Sequence, residues 1–387
     1  MDWTQASPGA HLAHDERQQR ARELLARADI RCDGARPWDM RVHHPRTLER
    51  VLARGSLGLG ESYMDGWWDC ERLDELFCRV LQARLDEEVG RPGWWWAVLR
   101  AKFINLQSQA RAWQVARVHY DLGNDLYAAM LDPSMAYSCG YWASARDLAD
   151  AQEAKLELVC RKLGLEPGMT LLDIGCGWGS LMLHAARHHR VHCVGLTVSR
   201  AQVAWAQARS QGLPMKFELM DYRQFNPRGE HRFDRIASIG MFEHVGHRNH
   251  QAFADLVRRS LHDDGLCLLH TIGKNRSGEA TDPWIDQYIF PNGALPSALE
   301  LTRALEGFVL EDWHNFGADY DHTLMAWHAR FEAAWPRLQA QYDTRFYRMW
   351  RYYLLCCAGT FRARDNQLWQ LVLSPRGVPG GYRRPML

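Results

Sequence analysis

Three glycines at alternate positions, Gly175, Gly177 and Gly179, form the most informative stretch of the chain. A buried strand is predicted just before them, over 171–174, and a helix just after them, over 180–188. A strand, a tight glycine turn and a helix bring backbone N–H groups close to a nucleotide-like ligand. The G-x-G-x-G spacing differs from the G-x-G-x-x-G of pyrophosphate-binding turns, so it favours S-adenosylmethionine, which has no phosphate. The alternative is an α/β turn without a ligand.

Strands and helices continue to alternate after this motif. The predicted strands cover 191–196, 215–220, 234–239 and 266–271, and the predicted helices cover 199–210 and 249–261. Strands separated by helices at this spacing predict a mostly parallel sheet with helices on both faces. The predicted fold class is therefore α/β: a Rossmann-like methyltransferase domain, preceded by a small α+β N-terminal domain.

Ligands of such sheets lie outside the carboxyl ends of the strands, so the residues after each predicted strand are candidates for binding. They are Gly175, Thr197, Asp221, 241–244 and 270–273. The pair Asp221 and Tyr222 can accept a hydrogen bond from an adenine amine and cover its ring. Methyltransferases of this architecture often place an acid after the second strand to bind the ribose. In this chain, Thr197, Ser199 and Gln202 offer neutral oxygens and an amide instead.

Size and composition agree with an enzyme of the cytoplasm. The 387 residues exceed one ordinary core, and the formal net charge of +1 argues against nucleic acid as a partner. No apolar run is long enough to span a bilayer, and the N-terminus lacks a signal-peptide pattern. Ten cysteines occur without Cys-x-x-Cys pairs, so neither a metal site nor a disulfide framework is predicted.

A basic, tryptophan-rich segment separates the two predicted domains. Between Arg91 and Arg117 there are five Lys or Arg residues, no Asp or Glu, and the run Trp94-Trp95-Trp96. Indole rings and positive charges suit an anionic membrane surface, whereas an inter-domain helix with buried tryptophans explains the segment equally well. The predicted organisation is an N-terminal domain over 1–92, this linker over 93–117 and a catalytic domain over 118–387.

Long motifs along most of the chain carry a family resemblance. They are 55–68, 119–127, 137–142, 172–179, 240–246, 269–273, 290–293, 312–320 and 361–365. Taken in this order, they resemble the bacterial cyclopropane-fatty-acyl-phospholipid synthases of the two-domain type. The resemblance implies transfer of a methylene group from S-adenosylmethionine to the cis double bond of an unsaturated phospholipid acyl chain, which leaves S-adenosylhomocysteine.

The resemblance also implies a bound bicarbonate as the general base. Methyl transfer to an alkene leaves a carbocation, and ring closure requires a base that takes a proton from the added methyl group. A carboxylate side chain in that place risks alkylation, and the site must exclude water. The implied catalytic residues, which also bind bicarbonate, are Cys139, Glu243, His270 and Tyr320, with the backbone of Ile272 as a further ligand.

These residue types suit the implied task. His270 and Tyr320 can donate hydrogen bonds to an anion. Glu243 can accept the bicarbonate proton or orient His270, and Cys139 can contribute its backbone N–H as well as its thiol. Taken singly, each of them is better explained as an ordinary buried side chain. The catalytic interpretation is favoured because Glu243 and His270 lie beside predicted strand ends, and Tyr320 at the start of the helix that includes Asp319.

The implied cofactor site joins residues before and within the sheet. They are Tyr137, Ser138, Asp173, Gly175, Gly177, Thr197, Ser199, Gln202, Asp221 and Tyr222. An apolar tunnel for the acyl chain is expected, lined in part by 288–296 and by the aromatic helices after Tyr320.

The resemblance further implies a homodimer, peripherally bound to the inner face of the cytoplasmic membrane, whose N-terminal domain contacts lipid or mediates dimerisation. Two other hypotheses stay open. One is an S-adenosylmethionine enzyme that stops at methylation, or in which water quenches the cation. The other is a non-catalytic lipid-binding protein that keeps the fold, although the intact turn at Gly175 argues against it.

Charge removal at Arg100 and Lys102 tests the membrane interpretation of the linker. We expect Arg100→Gln/Lys102→Gln to bind anionic phospholipid vesicles roughly tenfold less at low salt, because each basic residue near such a surface adds attraction that salt screens. Co-sedimentation measures this. The control is Lys216→Gln/Arg232→Gln, which also removes two positive charges but lies outside the linker. Unchanged co-sedimentation of the linker variant would contradict the interpretation.

Overall fold

The computed structural model describes residues 14–88, 123–227, 232–278 and 281–385. The linker predicted over 93–117, with Arg100 and Lys102, lies outside the described residues, and so do the domain boundaries drawn beside it. The first four residues of the motif 119–127 are likewise outside them.

Helices and short strands alternate along the described chain. The helices are α1 His14–Arg27, α2 Thr47–Met64, α3 Leu73–Gln82, α4 Leu85–Glu88, α5 Asn124–Met130, α6 Leu148–Lys162, α7 Ser180–His184, α8 Arg200–Arg209, α9 His250–Ser260, α10 Pro283–Tyr288, α11 Ala298–Ala304, α12 Ala318–Leu338 and α13 Thr344–Arg362. The strands are β1 Arg41–Val42, β2 Trp68–Asp69, β3 Thr170–Ile174, β4 His192–Thr197, β5 Met215–Leu219, β6 Phe233–Ile239, β7 Leu261–Lys274, β8 Val309–Asn315 and β9 Asn366–Ser374. Among the described helices, none is both long and apolar enough to cross a bilayer.

Seven strands form the central sheet, in the order β5-β4-β3-β6-β7-β9-β8. Strands β3 to β7 pair in parallel with their neighbours. Strand β9 pairs antiparallel with both β7 and β8, so it alone runs against the others in this sheet. The prediction of a Rossmann-like, mostly parallel sheet is confirmed. Strands β1 and β2 form a separate antiparallel pair in the N-terminal region.

The predicted elements agree with the structure most closely around the glycine turn. The helix predicted over 199–210 is α8, and Ser199 caps it because its Oγ accepts the N–H of Gln202. The helix predicted over 180–188 is α7 followed by a π-helical turn, Ala185–His189. Strands β8 and β9 are missing from the prediction, because polar residues such as Gln367 and Gln370 interrupt the buried run of β9.

The turn after β3 requires glycine at its first position. Gly175 has a φ of +87°, in the left-handed region that side chains disfavour. A Cβ atom there would also lie 2.7 Å from the Cβ of Met241, in the loop after β6. The missing side chain therefore lets the ends of β3 and β6 approach each other, which is where the candidate site lies.

The N-terminal region, residues 14–88, is a small unit of helices with one two-stranded sheet, as predicted. Its tightly buried aromatic residues include Tyr63 and Trp68. The ring of Tyr63 packs 5.5 Å from Tyr352 of α13, which in turn lies 4.5 Å from Trp284 of α10. A Cβ atom on Gly60 would come within 2.3 Å of Trp284. The N-terminal unit and the C-terminal helices thus share one apolar core.

A buried carboxylate also ties α3 to α13. The side chain of Asp74 is 1% exposed and accepts hydrogen bonds from Arg72 at 2.7 Å and from Arg362 at 2.6 Å. Burial raises the pKa of Asp74, but these hydrogen bonds outweigh it and lower the pKa to about 2. The ionised form of Asp74 therefore stabilises the contact between the two regions.

The variant Asp74→Asn tests this ion pair. We expect it to lower the free energy of unfolding at neutral pH by about 1–3 kcal/mol. Because the folded pKa lies below the value of about 3.9 of an unfolded aspartate, this loss should be constant above pH ~5 and shrink as the pH falls from about 4 to about 2. Urea unfolding across this pH range measures it. The control Glu71→Gln, whose partner Arg41 is 3.9 Å away with both side chains at least 60% exposed, should cost less than about 1 kcal/mol. An equal loss in both variants would contradict the role of Asp74.

Candidate active site

A cavity opens at the carboxyl ends of the parallel strands. It encloses about 1360 Å³ of empty space, counting its open mouth, and the loops after β3, β4, β5 and β6 line it. This is the position at which open α/β sheets bind their ligands.

All ten residues predicted for the cofactor line this cavity. They are Tyr137, Ser138, Asp173, Gly175, Gly177, Thr197, Ser199, Gln202, Asp221 and Tyr222. Pro291 and Asn292 also line it, and both belong to the segment 288–296 that was expected to border an acyl tunnel. The structure therefore brings the two parts of the predicted site, before the sheet and within it, to one place.

Three polar side chains after β4 hold one another in position. The Oγ1 of Thr197 donates to the Oε1 of Gln202 at 2.9 Å and accepts the N–H of Ser199 at 3.2 Å. All three residues are buried. Since its carbonyl oxygen is already bonded, Gln202 keeps its amide N–H groups to donate to a ligand hydroxyl.

The residues after β5 form a second polar group of the cavity. The carboxylate of Asp221 accepts the backbone N–H of Arg223 at 2.9 Å and two guanidinium hydrogen bonds at 2.8 and 2.6 Å. The guanidinium of Arg223 also lies 5.4 Å from the ring centre of Tyr222. The hydroxyl of Tyr222 is buried without a hydrogen-bond partner among the described residues. Buried polar groups are nearly always satisfied, so this hydroxyl is a candidate contact for a ligand.

Lys155 is a buried cation of the cavity that the sequence analysis missed. It lies on α6, and its Nζ donates to the Oγ of Ser138 at 2.9 Å. Burial lowers the pKa of Lys155 to about 8 and raises that of Asp173 to about 7, although the two opposite charges counteract both shifts. Lys155 follows Ala151 by four residues and precedes Leu158 by three, and both of these residues are buried. Lys155 therefore lies on the apolar face of the helix. That periodicity is a signal that could have revealed it.

Glu243 lies just beyond the end of β6, in the 3₁₀ turn Phe242–His244. The last paired residues of β6 and β7 are Ile239 and His270. The N–H of Ile272 therefore lies beyond the part of β7 that is paired with β6. The Oε1 of Glu243 accepts this N–H at 2.7 Å, and the amide of Ile272 is thereby occupied. Burial raises the pKa of Glu243 to about 7 despite this hydrogen bond. Its Oε2 is buried and has no partner in the described part of the chain.

His270 is oriented by Gln370 and not by Glu243. The Nδ1 of His270 lies 3.2 Å from the Nε2 of Gln370, its register partner on β9. Burial lowers the pKa of His270 well below its ordinary value, so the ring is neutral at pH 7. If the amide N–H of Gln370 donates to Nδ1, the ring proton resides on Nε2. This Nε2 is also buried without a partner among residues 14–88, 123–227, 232–278 and 281–385. Gln370 was missed because β9 was not predicted.

Cys139 lies against α12, the helix that carries Tyr320 in its first turn. The Sγ of Cys139 donates to the carbonyl of Gly140 at 3.1 Å and lies 3.8 Å from the Oγ1 of Thr323, one turn after Tyr320. Burial raises the pKa of the Cys139 thiol well above its usual value, so it stays protonated. The ring of Tyr320 packs at a tilt against Phe361, with the ring centres 4.5 Å apart. None of the four predicted catalytic residues is itself among the residues that line the cavity, although Ser138 and His244, the chain neighbours of Cys139 and Glu243, are.

Among the predicted catalytic residues, Glu243 Oε2 and His270 Nε2 are buried atoms without a hydrogen-bond partner in the described residues. Glu243 Oε2 is an acceptor when ionised, and His270 Nε2 is a donor in the tautomer in which Nδ1 accepts the amide N–H of Gln370. With a pKa of about 7, Glu243 can hold a proton or accept one near neutral pH. The carboxyl group of Glu243 is held by the N–H of Ile272, two residues after His270. A buried donor and an ionisable carboxyl group linked in this way suit a small oxyanion that carries one proton of its own.

Comparisons with known proteins agree with this geometry. Residues 107–371 match the family described as mycolic acid cyclopropane synthetase. The chain is 54% identical over 367 residues to the cyclopropane-fatty-acyl-phospholipid synthase of Escherichia coli strain K12, a match that covers 94% of each chain. The chain belongs to the cyclopropane synthase family. Members of this family are S-adenosylmethionine-dependent methyltransferases, so the protein is an enzyme of the transferase class.

Other members share the catalytic domain. Cyclopropane mycolic acid synthase 1 of Mycobacterium tuberculosis strain H37Rv is 37% identical over 286 residues, which cover 68% of the present chain and 94% of the mycobacterial enzyme. The solved cyclopropane synthase MmaA2 from Mycobacterium tuberculosis superposes with a TM-score of 0.63 at 33% identity, over 67% of this chain and 97% of that chain. The mycolic acid cyclopropane synthase CmaA1 complexed with SAH and CTAB gives the same TM-score and coverage at 34% identity. The methyltransferase fold is therefore confirmed.

Gln370→Leu tests the positioning of His270 in this synthase. We expect turnover to be roughly tenfold slower and the affinity for S-adenosylmethionine to be unchanged. Without Gln370, the Nδ1 of His270 loses its hydrogen-bond partner, so the ring is no longer held in one tautomer and one orientation. Turnover, cofactor calorimetry and ¹⁵N NMR of labelled histidine measure this. Gln251→Leu, on the exposed surface of α9, is the control. An unaltered His270 tautomer together with wild-type turnover would contradict the assignment.

Proposed function

We propose that this enzyme is a cyclopropane-fatty-acyl-phospholipid synthase. It transfers a methylene group from S-adenosylmethionine to the cis double bond of unsaturated acyl chains in membrane phospholipids, with bicarbonate as the general base. The observation that carries the proposal is that Glu243 Oε2 and His270 Nε2 are both buried and have no hydrogen-bond partner in the described part of the chain. The identity to the Escherichia coli enzyme of that name, which extends through the N-terminal region, supports the choice of substrate.

In this proposal the cavity holds S-adenosylmethionine. The complex of CmaA1 with SAH supports this ligand. Gln202 donates to the ribose, with Thr197 and Ser199 holding its amide in place. Asp221 and Tyr222 bind the adenine. The turn at Gly175 leaves the backbone open to close approach by the ligand.

The reaction requires a dry site and a base. The sulfonium methyl carbon bonds to one alkene carbon as its C–S bond breaks, and the cation forms on the other alkene carbon. The added methyl then loses a proton, and the electrons of that C–H bond close the three-membered ring. Water would trap the cation, so the nearly complete burial of Lys155, Asp173, Glu243 and His270 favours ring closure.

Bicarbonate fits the chemistry of Glu243 and His270. It is a small oxyanion with one O–H, which matches one acceptor, Glu243 Oε2, and one donor, His270 Nε2. When bound, bicarbonate supplies the base for the methyl proton. Tyr320 adds a phenol at the start of α12, and Cys139 lies against the same helix. Ile272 contributes indirectly, because its N–H holds the other oxygen of Glu243 at 2.7 Å.

Aromatic side chains next to the cavity suit an apolar chain and a transient cation. The hydroxyls of Tyr137 and Tyr353 are 2.8 Å apart, and the ring of Tyr137 lies 5.1 Å from that of Trp327. Tyr320 packs edge-on against Trp327 at 6.0 Å. The faces of such rings attract positive charge, so this aromatic wall is the proposed site of the acyl chain and of cation stabilisation.

The proposed substrate lies in a bilayer, so the proposal includes peripheral binding to the inner face of the cytoplasmic membrane. The basic, tryptophan-rich sequence between Arg91 and Arg117 supports such contact. A homodimer, with the N-terminal domain in lipid contact or dimerisation, completes the proposal. It would allow two active sites to work on one membrane surface.

The test incubates the purified chain with S-adenosylmethionine and vesicles of a cis-monounsaturated phospholipid. We expect each modified acyl chain to gain one CH₂ and lose its alkene signal in the NMR spectrum. Turnover should fall in CO₂-free buffer and recover when bicarbonate is added. Glu243→Gln should lower turnover by about 100-fold or more, because it removes the carboxylate that orients the base, while the Kd for S-adenosylmethionine stays the same.

The exposed Glu306, replaced by Gln, serves as the control with wild-type turnover. A CH₂ gain with the alkene retained would indicate a methyl-branching enzyme, and a hydroxylated product would indicate that water quenches the cation. S-adenosylmethionine binding without any lipid product would indicate a non-catalytic lipid-binding protein. Full activity in CO₂-free buffer would refute only the role of bicarbonate as the base, and would leave the rest of the proposal standing.

A further inference from the structure

A cluster of side chains of the types that ligate metals lies where helices α6 and α7 pack together. Glu157 and Cys160 are three residues apart on α6, and so share one face of that helix. His184 ends α7, and His189 ends the π-helical turn that follows it. The packing of α6 against α7 brings these four side chains together, although they are far apart in the sequence.

The donor atoms converge closely. One ligand atom each from Cys160, His184 and His189 lie within 4.8 Å of one another. The Oε2 of Glu157 is 3.1 Å from the Nε2 of His184 and 3.0 Å from the Nε2 of His189. In a tetrahedral zinc site, bond lengths to nitrogen and sulfur place neighbouring ligand atoms roughly 3.3–3.6 Å apart. Small rotamer changes would therefore close the cluster around an ion.

The chemistry of the donors selects the kind of ion. A thiolate and two imidazoles suit Zn²⁺ and related transition metals, whereas Mg²⁺ and Ca²⁺ prefer sites made of oxygen ligands. The side chain of His184 is 10% exposed and that of His189 is 18% exposed, so an ion can enter from solvent. Cys160 is fully buried behind them.

We propose that Cys160, His184 and His189 bind one Zn²⁺ ion. The carboxylate of Glu157, which already contacts both imidazoles, holds the two rings at the site, and Arg161 in turn holds Glu157 by a hydrogen bond of 2.7 Å. Binding forms one Zn–S bond and, because the Nε2–H of each ring is bonded to Glu157, two Zn–N bonds through the Nδ1 atoms; the thiol proton of Cys160 is released to solvent.

The ion would clamp two helices that border the cofactor cavity. Lys155 of α6 and Ser180 of α7 both line that cavity. A metal bond between α6 and α7 therefore stiffens the wall of the site without touching the reacting atoms. Its expected effect is on stability, which separates this proposal from the proposed catalytic function.

Co²⁺ and Zn²⁺ are the probes, applied to the full chain without a histidine tag. Co²⁺ reports thiolate ligation through near-ultraviolet charge-transfer bands, whereas Zn²⁺ has a filled d shell and is silent. We expect one equivalent of Co²⁺ to give such a band and Zn²⁺ to displace it. Free Zn²⁺ at 100 times its Kd should raise the Tm by roughly 3 °C.

Variants locate the ion. Cys160→Ser should abolish the band, and His189→Ala should weaken Co²⁺ binding at least about tenfold. Glu157→Gln should also weaken binding roughly tenfold, because the two imidazole rings are then held less firmly. Cys267→Ser, which removes another buried thiol, should leave the band intact. If Cys160→Ser does not fold, His189→Ala decides the question, because its side chain is partly exposed. Absence of the band in the wild-type chain, or a band that persists in these variants, would overturn the proposal.

Discussion

The burial of ionisable side chains at one edge of the sheet is the constraint on which the rest of this structure depends. Lys155, Asp173, Glu243 and His270 are all less than 10% exposed. Charges kept away from water cost several kcal/mol each unless they are paired or neutralised. The fold meets this cost partly by hydrogen bonds and partly by shifts of pKa. Burial raises the pKa of both Asp173 and Glu243 to about 7 and keeps His270 neutral.

The elements outside the parallel strands keep water away from these groups. Helix α12 pins the loop around Cys139 through Thr323, whose Oγ1 accepts the N–H of Gly140 at 3.0 Å. Helix α13 then joins α12 to the N-terminal unit, because Arg362 bonds both Asp321 and Asp74. The N-terminal unit thus shares a core with the helices that enclose the site. Its contribution to the enclosure is therefore structural.

Periodicity along the chain predicted the parallel strands and the cavity at their carboxyl ends. These features are local: a glycine spacing, an apolar run or a cap such as Ser199 fixes a segment by itself. Prediction failed for Lys155, Gln370 and strand β9. Lys155 is a polar residue at an inward helical position, and Gln370 interrupts an apolar strand, so both conflict with the pattern that predicts a core. Their partners, Ser138 and His270, compensate for that conflict only in three dimensions.

The sequence by itself determined the methyltransferase fold, the family and ten of the residues that line the cavity, because each follows from local spacing or from long motifs. Only the tertiary structure decided which residue holds each catalytic side chain in its orientation. It paired His270 with Gln370 and Glu243 with the amide of Ile272, and it assembled Cys160 with His184 and His189. The physical reason is that a local pattern specifies which face of a helix or strand is buried, but not which side chain lies opposite that face. That choice depends on strand register and helix packing, which form only when distant segments meet.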